Sequence, residues 1–265
     1  MNRVISKDGT EIAYEKKGTG PAVILVAGAL GYRALGFEQP LVDRLSQHFT
    51  VYNYDRRGRG ESTNSKPFAI EREVEDIDAL IQEAGGSAYV YGISSGACLA
   101  LETAIKLGKK IEKLALYEPP YNSDVSALQA WQEYRTRLNE LIKANKRGEA
   151  VALFMSFVGA PPEAIDEMRK SPMWSMFEAS APTLVFDAAE MGDDRSVPVK
   201  RAANIKSQTL VMDGGANLQY MPFMHATAMA LAKAIPNAQQ RTLEGQTHDV
   251  NAEAMAPVLM EFYRQ

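Results

Sequence analysis

Cysteine, histidine and runs of basic residues are scarce in this chain of 265 residues. Its single cysteine, Cys98, cannot form an intramolecular disulfide, so the sequence does not imply an oxidising compartment. One cysteine and three histidines also argue against a zinc ion held by protein ligands. The formal net charge is -4, and no basic run extends beyond local pairs such as Arg56-Arg57, which argues against nucleic acid as a partner.

Long apolar segments are also missing. No stretch approaches the roughly 18 apolar residues that a membrane-spanning helix needs, and Met1 to Gly9 contains no apolar run typical of a secretion signal. We therefore expect a cytoplasmic protein without a membrane partner. Hydrophobic residues make up 46% of the chain, enough for a full core, and the length fits one domain over residues 1–265.

Apolar segments alternate with amphipathic ones along most of the chain. An Asp-Gly pair at 8–9 predicts an opening hairpin, and the continuous apolar run 22–26 is typical of a strand buried on both faces. Further strands are predicted at 49–54, 89–91, 113–117, 209–212 and 239–242, with helices at 40–47, 70–84, 97–107, 224–235 and 252–262. This order predicts an α/β fold with a mainly parallel central sheet and helices on both faces.

One long segment interrupts the alternation. Between residues 119 and 206 the periodicity is helical and no core strand is evident, with helices predicted at 128–145, 149–158 and 162–170. The segment continues as a proline- and methionine-bearing stretch over 171–198. We interpret the whole insertion, about 119–206, as a helical lid over the carboxyl edge of the sheet.

A G-x-S-x-G motif, Gly92-Ile93-Ser94-Ser95-Gly96, separates the predicted strand 89–91 from the predicted helix 97–107. The pattern alone is weak, but a strand-to-helix turn is the setting that a nucleophile elbow requires. Such a turn lifts the serine hydroxyl clear of the sheet, and the helix N-terminus favours developing negative charge. Ser94 is therefore the candidate nucleophile. The alternative is a glycine-rich turn with a serine N-cap.

A serine hydroxyl needs an adjacent base to act as a nucleophile at neutral pH. The candidate base is His248, in the loop between the last predicted strand and the last predicted helix. His48 precedes a strand at the opposite edge of the sheet and His225 begins a helix, so both fit the role badly. A lone histidine is also compatible with a purely structural role, and the chain order, nucleophile first and histidine last, favours catalysis.

The oxyanion formed by nucleophilic attack needs backbone N–H donors. Ser95, directly after the nucleophile, supplies one donor. The turn after strand 22–26 is placed to supply the other at Ala29 or Leu30, where glycine and small residues permit close approach of a substrate. The alternative is an ordinary glycine turn at the end of a strand.

Taken together, these motifs resemble the α/β-hydrolase superfamily over nearly the whole chain, close to its branch of small bacterial esterases, lactonases and cofactor-free haloperoxidase-like enzymes. Residues 26–29 resemble the family's strand-end His-Gly turn, 54–62 its D-x-R-G-x-G-x-S loop, 92–96 its elbow and 245–248 its G-x-x-H ending. The resemblance implies a Ser-His-acid triad that needs no metal or organic cofactor. We interpret the loop 54–62 as structural.

The sequence departs from the family pattern at two positions. Ala27 stands where the family usually has histidine, and Asn217 stands where it usually has the aspartate that orients the catalytic histidine. An amide cannot stabilise an imidazolium as a carboxylate does. We favour Glu118, which follows strand 113–117, as the acid, with Asp213 second. Alternatively, Glu118 is a hinge residue of the lid, ahead of Pro119-Pro120. The site would then be a weakened Ser–His dyad, or it would be inactive.

These observations predict a carboxylic ester hydrolase acting on a small neutral or apolar ester or lactone. Leu30, beside the oxyanion turn, and Trp174, in the insertion, are expected to contact this small-molecule substrate, although aromatic and methionine residues of the insertion also suit its own core. One rival is a non-catalytic ligand-binding protein on the same scaffold, which Asn217 favours. Another is a cofactor-free lyase or oxygenase that uses His248 as its base.

Overall fold

The computed structural model describes residues 1–64 and 67–265, and over these residues eight strands form one sheet in the order β1-β2-β4-β3-β5-β6-β7-β8. The strands are β1 (Asn2–Ile5), β2 (Glu11–Lys17), β3 (Ala22–Val26), β4 (Thr50–Tyr54), β5 (Ala88–Ile93), β6 (Ile111–Tyr117), β7 (Gln208–Gly214) and β8 (Ala238–Leu243). β2 is antiparallel to both β1 and β4, and β3 to β8 are mutually parallel. The predicted, mainly parallel sheet is confirmed.

Helices cover both faces of this sheet. They are α1 (Gln39–Leu45), α2 (Ile70–Glu83), α3 (Ser95–Leu107), α4 (Leu128–Lys143), α5 (Arg147–Phe157), α6 (Pro162–Lys170), α7 (Met173–Ser180), α8 (Leu184–Glu190), α9 (Val199–Ala202), α10 (Pro222–Ala234) and α11 (Ala252–Arg264). Within the described part of the chain, no helix is both long and apolar enough to cross a membrane.

Alternation along β3 explains why its apolar run is continuous. Val23 and Leu25 join the hydrophobic cluster formed with α1 and α11, whereas Ile24 and Val26 join the cluster formed with α2, α3 and α10. Successive side chains of a strand point to opposite faces, so a strand covered on both sides must be apolar at every position.

The helical insertion lies between β6 and β7. Its helices α4 to α8 share a hydrophobic cluster of their own, to which Leu30 contributes from the turn after β3. The stretch 171–198, for which no separate helices were predicted, contains α7 and α8. Pro172 precedes α7 and Pro182 is the second residue of a 3-10 turn, so both prolines occupy positions where the missing N–H disturbs no helical hydrogen bond.

Two buried arginines from the loop after β4 join the insertion to the rest of the molecule. Arg56 donates to Glu73 of α2 through two hydrogen bonds of 2.8 Å, to Asp187 of α8 at 2.9 Å, and to Glu190 of α8. Arg59 forms a fork with both oxygens of Asp187, each at 2.8 Å. Because every one of these side chains is almost fully buried, each charge depends on its partners for stability.

Candidate active site

The turn between β5 and α3 holds Ser94 in a strained conformation, with φ 57° and ψ -130°. A Cβ on Gly92 would lie 2.4 Å from the Gly96 carbonyl oxygen, and a Cβ on Gly96 would lie 2.2 Å from the Val26 carbonyl oxygen. The two glycines are therefore required by close backbone approach. Strain of this kind persists only where the surrounding structure imposes it, and it is concentrated at functional sites.

The turn after β3 passes beside this serine. A Cβ on Gly28 would lie 3.1 Å from Ser94 Cβ and 3.7 Å from Ser94 Oγ. Neither the Ser95 amide nor the Ala29 amide donates a hydrogen bond to another residue in the described ranges. The predicted oxyanion donors are thus two unused N–H groups on the elements that flank Ser94, which is the arrangement that a developing oxyanion needs.

The buried arginine network also fixes the backbone around these donors. Arg59 donates to the Gly28 carbonyl oxygen at 2.6 Å and to the Gly31 carbonyl oxygen at 3.3 Å, on either side of the turn. Ser95 Oγ donates to Asp187 at 2.7 Å. Asp187 therefore links the elbow and the turn through one carboxylate. Sequence reasoning missed Asp187, because nothing in the insertion's composition distinguishes it from a surface acid.

His248 and Glu118 are in direct contact. His248 Nδ1 lies 2.6 Å from Glu118 Oε2, and the Glu118 side chain is inaccessible to solvent whereas the His248 ring is 33% exposed. Glu118 follows β6 with φ 46°, and its amide donates to the Met212 carbonyl oxygen at 2.9 Å. The acid favoured from the sequence is thus the carboxylate that the structure brings to the candidate base.

Asn217 has a specific contact with that acid. Its Nδ2 donates to both Glu118 oxygens at 3.0 Å, and the Gly214 amide adds a hydrogen bond of 2.8 Å. Burial raises the pKa of Glu118, but hydrogen bonds from His248, Asn217 and Gly214 outweigh it and hold that pKa below its ordinary value. The amide in place of the family's usual aspartate is therefore a donor to a carboxylate that stands on the neighbouring strand.

Residues of β6, of β7 and of the turn after β7 contact the loop that carries His248. Tyr117 Oη donates to the Thr247 carbonyl oxygen at 2.5 Å, and the Ala216 amide donates to the Gln246 carbonyl oxygen at 3.0 Å. A Cβ on Gly214 would lie 2.5 Å from that same Gln246 oxygen. These contacts fix the backbone on the N-terminal side of His248 and so restrict where its ring can point.

Asp213, the second candidate acid, faces a different histidine. Its Oδ2 lies 3.0 Å from His225 Nδ1, and Gln240 donates to Oδ1 at 2.6 Å. Asp213 is two residues after Val211, so both side chains lie on the face of β7 that packs against α10, the helix that carries His225. The structure therefore does not bring Asp213 to His248.

Leu30 and Trp174, the predicted substrate contacts, are 4% and 8% exposed and both belong to the hydrophobic cluster of the insertion. Leu30 has φ 61°, a strained value for a bulky side chain. The substrate-contact role of these two residues stays a prediction. In the described ranges no group of three or more His, Cys, Asp or Glu side chains is arranged to hold a metal ion.

Comparisons with known proteins concern the family and the fold of this chain. Residues 23–261 match the model of the Alpha/beta hydrolase family. An alpha/beta hydrolase from Sphaerobacter thermophilus is 48% identical in sequence, with a TM-score of 0.87 over 99% of this chain and 100% of its own. The enol-lactonase from Burkholderia xenovorans has a TM-score of 0.73 at 24% identity over 100% of both chains, which indicates a shared fold. The uncharacterized hydrolase YraK of Bacillus subtilis is 30% identical over 122 residues, a match that spans 44% of this chain and 44% of that protein.

Proposed function

This chain belongs to the alpha/beta hydrolase family, and from that premise we propose that it hydrolyses a small carboxylic ester or lactone through an acyl-enzyme on Ser94. The chain is a hydrolase by its relatives, and the enol-lactonase that shares its fold supports an ester or lactone as the substrate class. In this proposal residues 1–265 form one domain, and the insertion at about 119–206 is its lid.

The proposed catalytic groups act in two successive steps. His248 directs Nδ1 toward Glu118, so Nε2 is the nitrogen left to accept the proton of Ser94 Oγ. The serine oxygen attacks the acyl carbon while the Ala29 and Ser95 amides stabilise the oxyanion. His248 then gives the proton to the departing alcohol oxygen. Water, deprotonated by the same ring, attacks the acyl-enzyme, releases the carboxylic acid and restores Ser94.

The observation that carries this proposal is the 2.6 Å contact between His248 Nδ1 and the buried carboxylate of Glu118. A carboxylate in that position fixes the imidazole tautomer and stabilises the imidazolium formed during acyl transfer. The amide at Asn217 was the reason to consider a non-catalytic binding protein. The hydrogen bonds from Asn217 to Glu118 argue against that alternative, because the carboxylate lies on the neighbouring strand instead. A lyase or oxygenase based on His248 alone would not need the strained backbone at Ser94.

The test is hydrolysis of p-nitrophenyl acetate and butyrate by wild type and four variants. Ser94→Ala and His248→Ala should each lose about 10⁶-fold in kcat, and Glu118→Gln about 10⁴-fold, as the corresponding changes do in serine proteases. Asp213→Asn is the matched control, since it also removes one buried carboxylate that contacts a histidine. It should retain nearly full activity, and a fluorophosphonate should label wild type but not Ser94→Ala.

Two results would contradict the proposal. If wild type hydrolyses these esters no faster than Ser94→Ala and resists the fluorophosphonate, Ser94 is not an activated nucleophile. If Asp213→Asn loses more activity than Glu118→Gln, the acid has been assigned to the wrong strand.

A further inference from the structure

Arg195 is a half-buried cation that no carboxylate neutralises among residues 1–64 and 67–265. Its Nε donates to the Pro120 carbonyl oxygen at 2.6 Å. Its two terminal nitrogens make no hydrogen bond within these ranges, and neither nitrogen is fully buried. By contrast, the buried Arg56, Arg57 and Arg59 each pair with at least one carboxylate. Arg195 therefore retains unused, charged hydrogen-bond donors.

Aromatic rings surround the guanidinium. The Arg195 Cζ atom lies 5.4 Å from the ring centre of Trp131, 5.1 Å from that of Phe157 and 5.2 Å from that of Phe223. Cation–π contacts of this kind offset part of the cost of burying the charge, but they satisfy no N–H donor. The arrangement combines an apolar wall with a cation at one end, as in sites that bind a small amphipathic anion.

The surroundings of Arg195 tie it to the candidate active site. Pro120 is two residues beyond Glu118 in the chain, and Phe223 is the second residue of α10, the helix that follows the segment of Asn217. The charge of Arg195 also acts on the thiol of Cys98, one helical turn beyond Ser94 in α3. Arg195, itself part of the insertion, thus contacts segments that adjoin Glu118 and Asn217.

Tyr134 of the insertion adds a second donor nearby. Its ring is 6% exposed and stacks on Phe157 with ring centres 4.2 Å apart. Its hydroxyl makes no hydrogen bond within the described ranges and is not sealed from solvent-accessible space. The positive charge of Arg195 lowers the pKa of this hydroxyl, although burial raises it overall. An O–H group and a guanidinium with free donors therefore lie within electrostatic reach of each other.

Arg195 keeps its charge at neutral pH. Burial lowers the pKa of Arg195 to about 10, which remains far above neutral pH. Its backbone is held at φ 56°, a strained value for a residue other than glycine. A partly desolvated cation in an enforced position is stabilised when an anion binds to it, and a planar guanidinium matches a carboxylate through two parallel hydrogen bonds.

We propose that Arg195 binds a carboxylate carried by the substrate, so that the ester or lactone cleaved at Ser94 bears a second, anionic end. This inference rests on the proposed function and narrows its substrate class. The methylene groups between the two ends pack on Phe157 and Phe223, both partly exposed, which keeps the apolar character expected from the sequence for the body of the substrate. Its carboxylate replaces the neutral end that the sequence suggested.

The experiment compares ester pairs that differ only in the terminal carboxylate. Monomethyl succinate, glutarate and adipate are paired with methyl butyrate, pentanoate and hexanoate, and hydrolysis is followed by proton release. For the chain length that fits best, we expect wild type to prefer the acidic ester by at least about 10-fold in kcat/KM. Arg195→Met should lower kcat/KM for that ester by about 10- to 100-fold, as loss of a charge-assisted hydrogen bond does, and for its neutral partner by less than about 3-fold.

Arg135→Met is the matched control. Arg135 also lies over the Trp131 ring, at 5.8 Å, but it pairs at 2.8 Å with Asp193, an exposed carboxylate. It should therefore leave both ester series unchanged. A role for Arg195 in packing alone would lower both series equally in Arg195→Met, and wild type would show no preference at any chain length. That result would overturn the inference, and the wild-type preference remains a test even if the variant does not fold.

A calorimetric titration separates this inference from the proposed function. Ser94→Ala binds but does not cleave, so it is titrated with the three monomethyl esters. Binding that disappears in Ser94→Ala/Arg195→Met supports the carboxylate site even if wild type hydrolyses neither series, an outcome that would count against the esterase proposal alone. No binding of any acidic ester to Ser94→Ala, at concentrations up to those used in the assay, would overturn the carboxylate site.

Discussion

Restoring aspartate at position 217, where hydrolases of this fold usually have it, should destabilise this protein. In Asn217→Asp, a carboxylate oxygen replaces the Nδ2 group that now lies 3.0 Å from both oxygens of Glu118. Two negative charges at that separation repel each other by about 5.5 kcal/mol at an effective dielectric constant of about 20. Both side chains are buried, so water does not relieve this repulsion.

In the folded protein, protonating one of the two carboxyl groups costs less free energy than keeping both of them charged. An aspartate in the unfolded chain has a pKa of about 3.9, and keeping it protonated costs about 1.4 kcal/mol for each pH unit above that pKa. The pKa of the new acid is raised on folding, so the loss of stability is absent below pH 4 and grows as pH rises. We expect a free energy of unfolding about 4 kcal/mol below wild type at pH 7 and about 1.5 kcal/mol below it at pH 5.

Urea unfolding of wild type and Asn217→Asp at pH 5, 6, 7 and 8 measures this slope. Glu118→Gln/Asn217→Asp is the control, because it restores an amide facing a carboxylate with the two groups exchanged, and its stability difference from wild type should not vary with pH. A small, pH-independent effect of Asn217→Asp would refute the reasoning. So would a double variant that is as unstable as the single variant at pH 8.

Three further predictions concern the same framework. The pKa of Glu118 is lowered in the folded protein, so its contribution to stability is present above pH 4.5 and is lost as pH falls through the lowered pKa. Glu118→Gln should therefore flatten the acid side of a plot of Tm against pH. An acid side that is unchanged from wild type would contradict this prediction. Asp187→Asn leaves buried Arg59 without a carboxylate and should lower Tm by about 5–10 °C, whereas Asp193→Asn, at an exposed position of the same insertion, should not. Gly96→Ala places a Cβ 2.2 Å from a carbonyl oxygen and should abolish soluble expression, so a folded variant with the wild-type Tm would show that the elbow can open.

Local patterns were sufficient to predict the fold. Continuous apolar runs identified the buried strands, and the alternation of strands and helices implied the parallel sheet. Helix α3 begins at Ser95 rather than at the predicted Ala97, because Ser94 itself forms the turn. Helices α7 and α8 were not predicted individually within the helical insertion, where Pro172 and Pro182 lie at the starts of helical turns.

Which of the two candidate acids contacts His248 could have been predicted from the sequence with one more step. Glu118 and Asp213 both lie at the carboxyl ends of neighbouring strands, and chain position alone does not separate them. Alternation along β7 does, because Asp213 shares the face of Val211 and is directed toward α10. The contact between Asn217 and Glu118 was beyond reach, since it joins residues 99 positions apart through side-chain geometry that no local pattern encodes.

The arginines of the 54–62 loop were interpreted as structural, and the structure gives that interpretation a physical content. Their partners on α8, Asp187 and Glu190, lie more than 120 residues away in the chain. Sequence patterns do not predict such pairs, because an acid on an amphipathic helix looks the same whether it faces solvent or a buried guanidinium. For the same reason, Arg195 could not be recognised as an unpaired cation before its neighbours were known.

The pairs that join Arg56 and Arg59 to α8 limit how this enzyme can be recombined with its relatives. An insertion transplanted from another hydrolase would have to bring acids at the positions of Asp187 and Glu190. Without them Arg56 would keep one of its three carboxylate partners and Arg59 would have no carboxylate partner, at a cost of about 3–5 kcal/mol for a broken buried pair. The 54–62 loop and α8 are therefore coupled, and we expect new specificity to be obtained more readily by substitution within the insertion than by exchange of it.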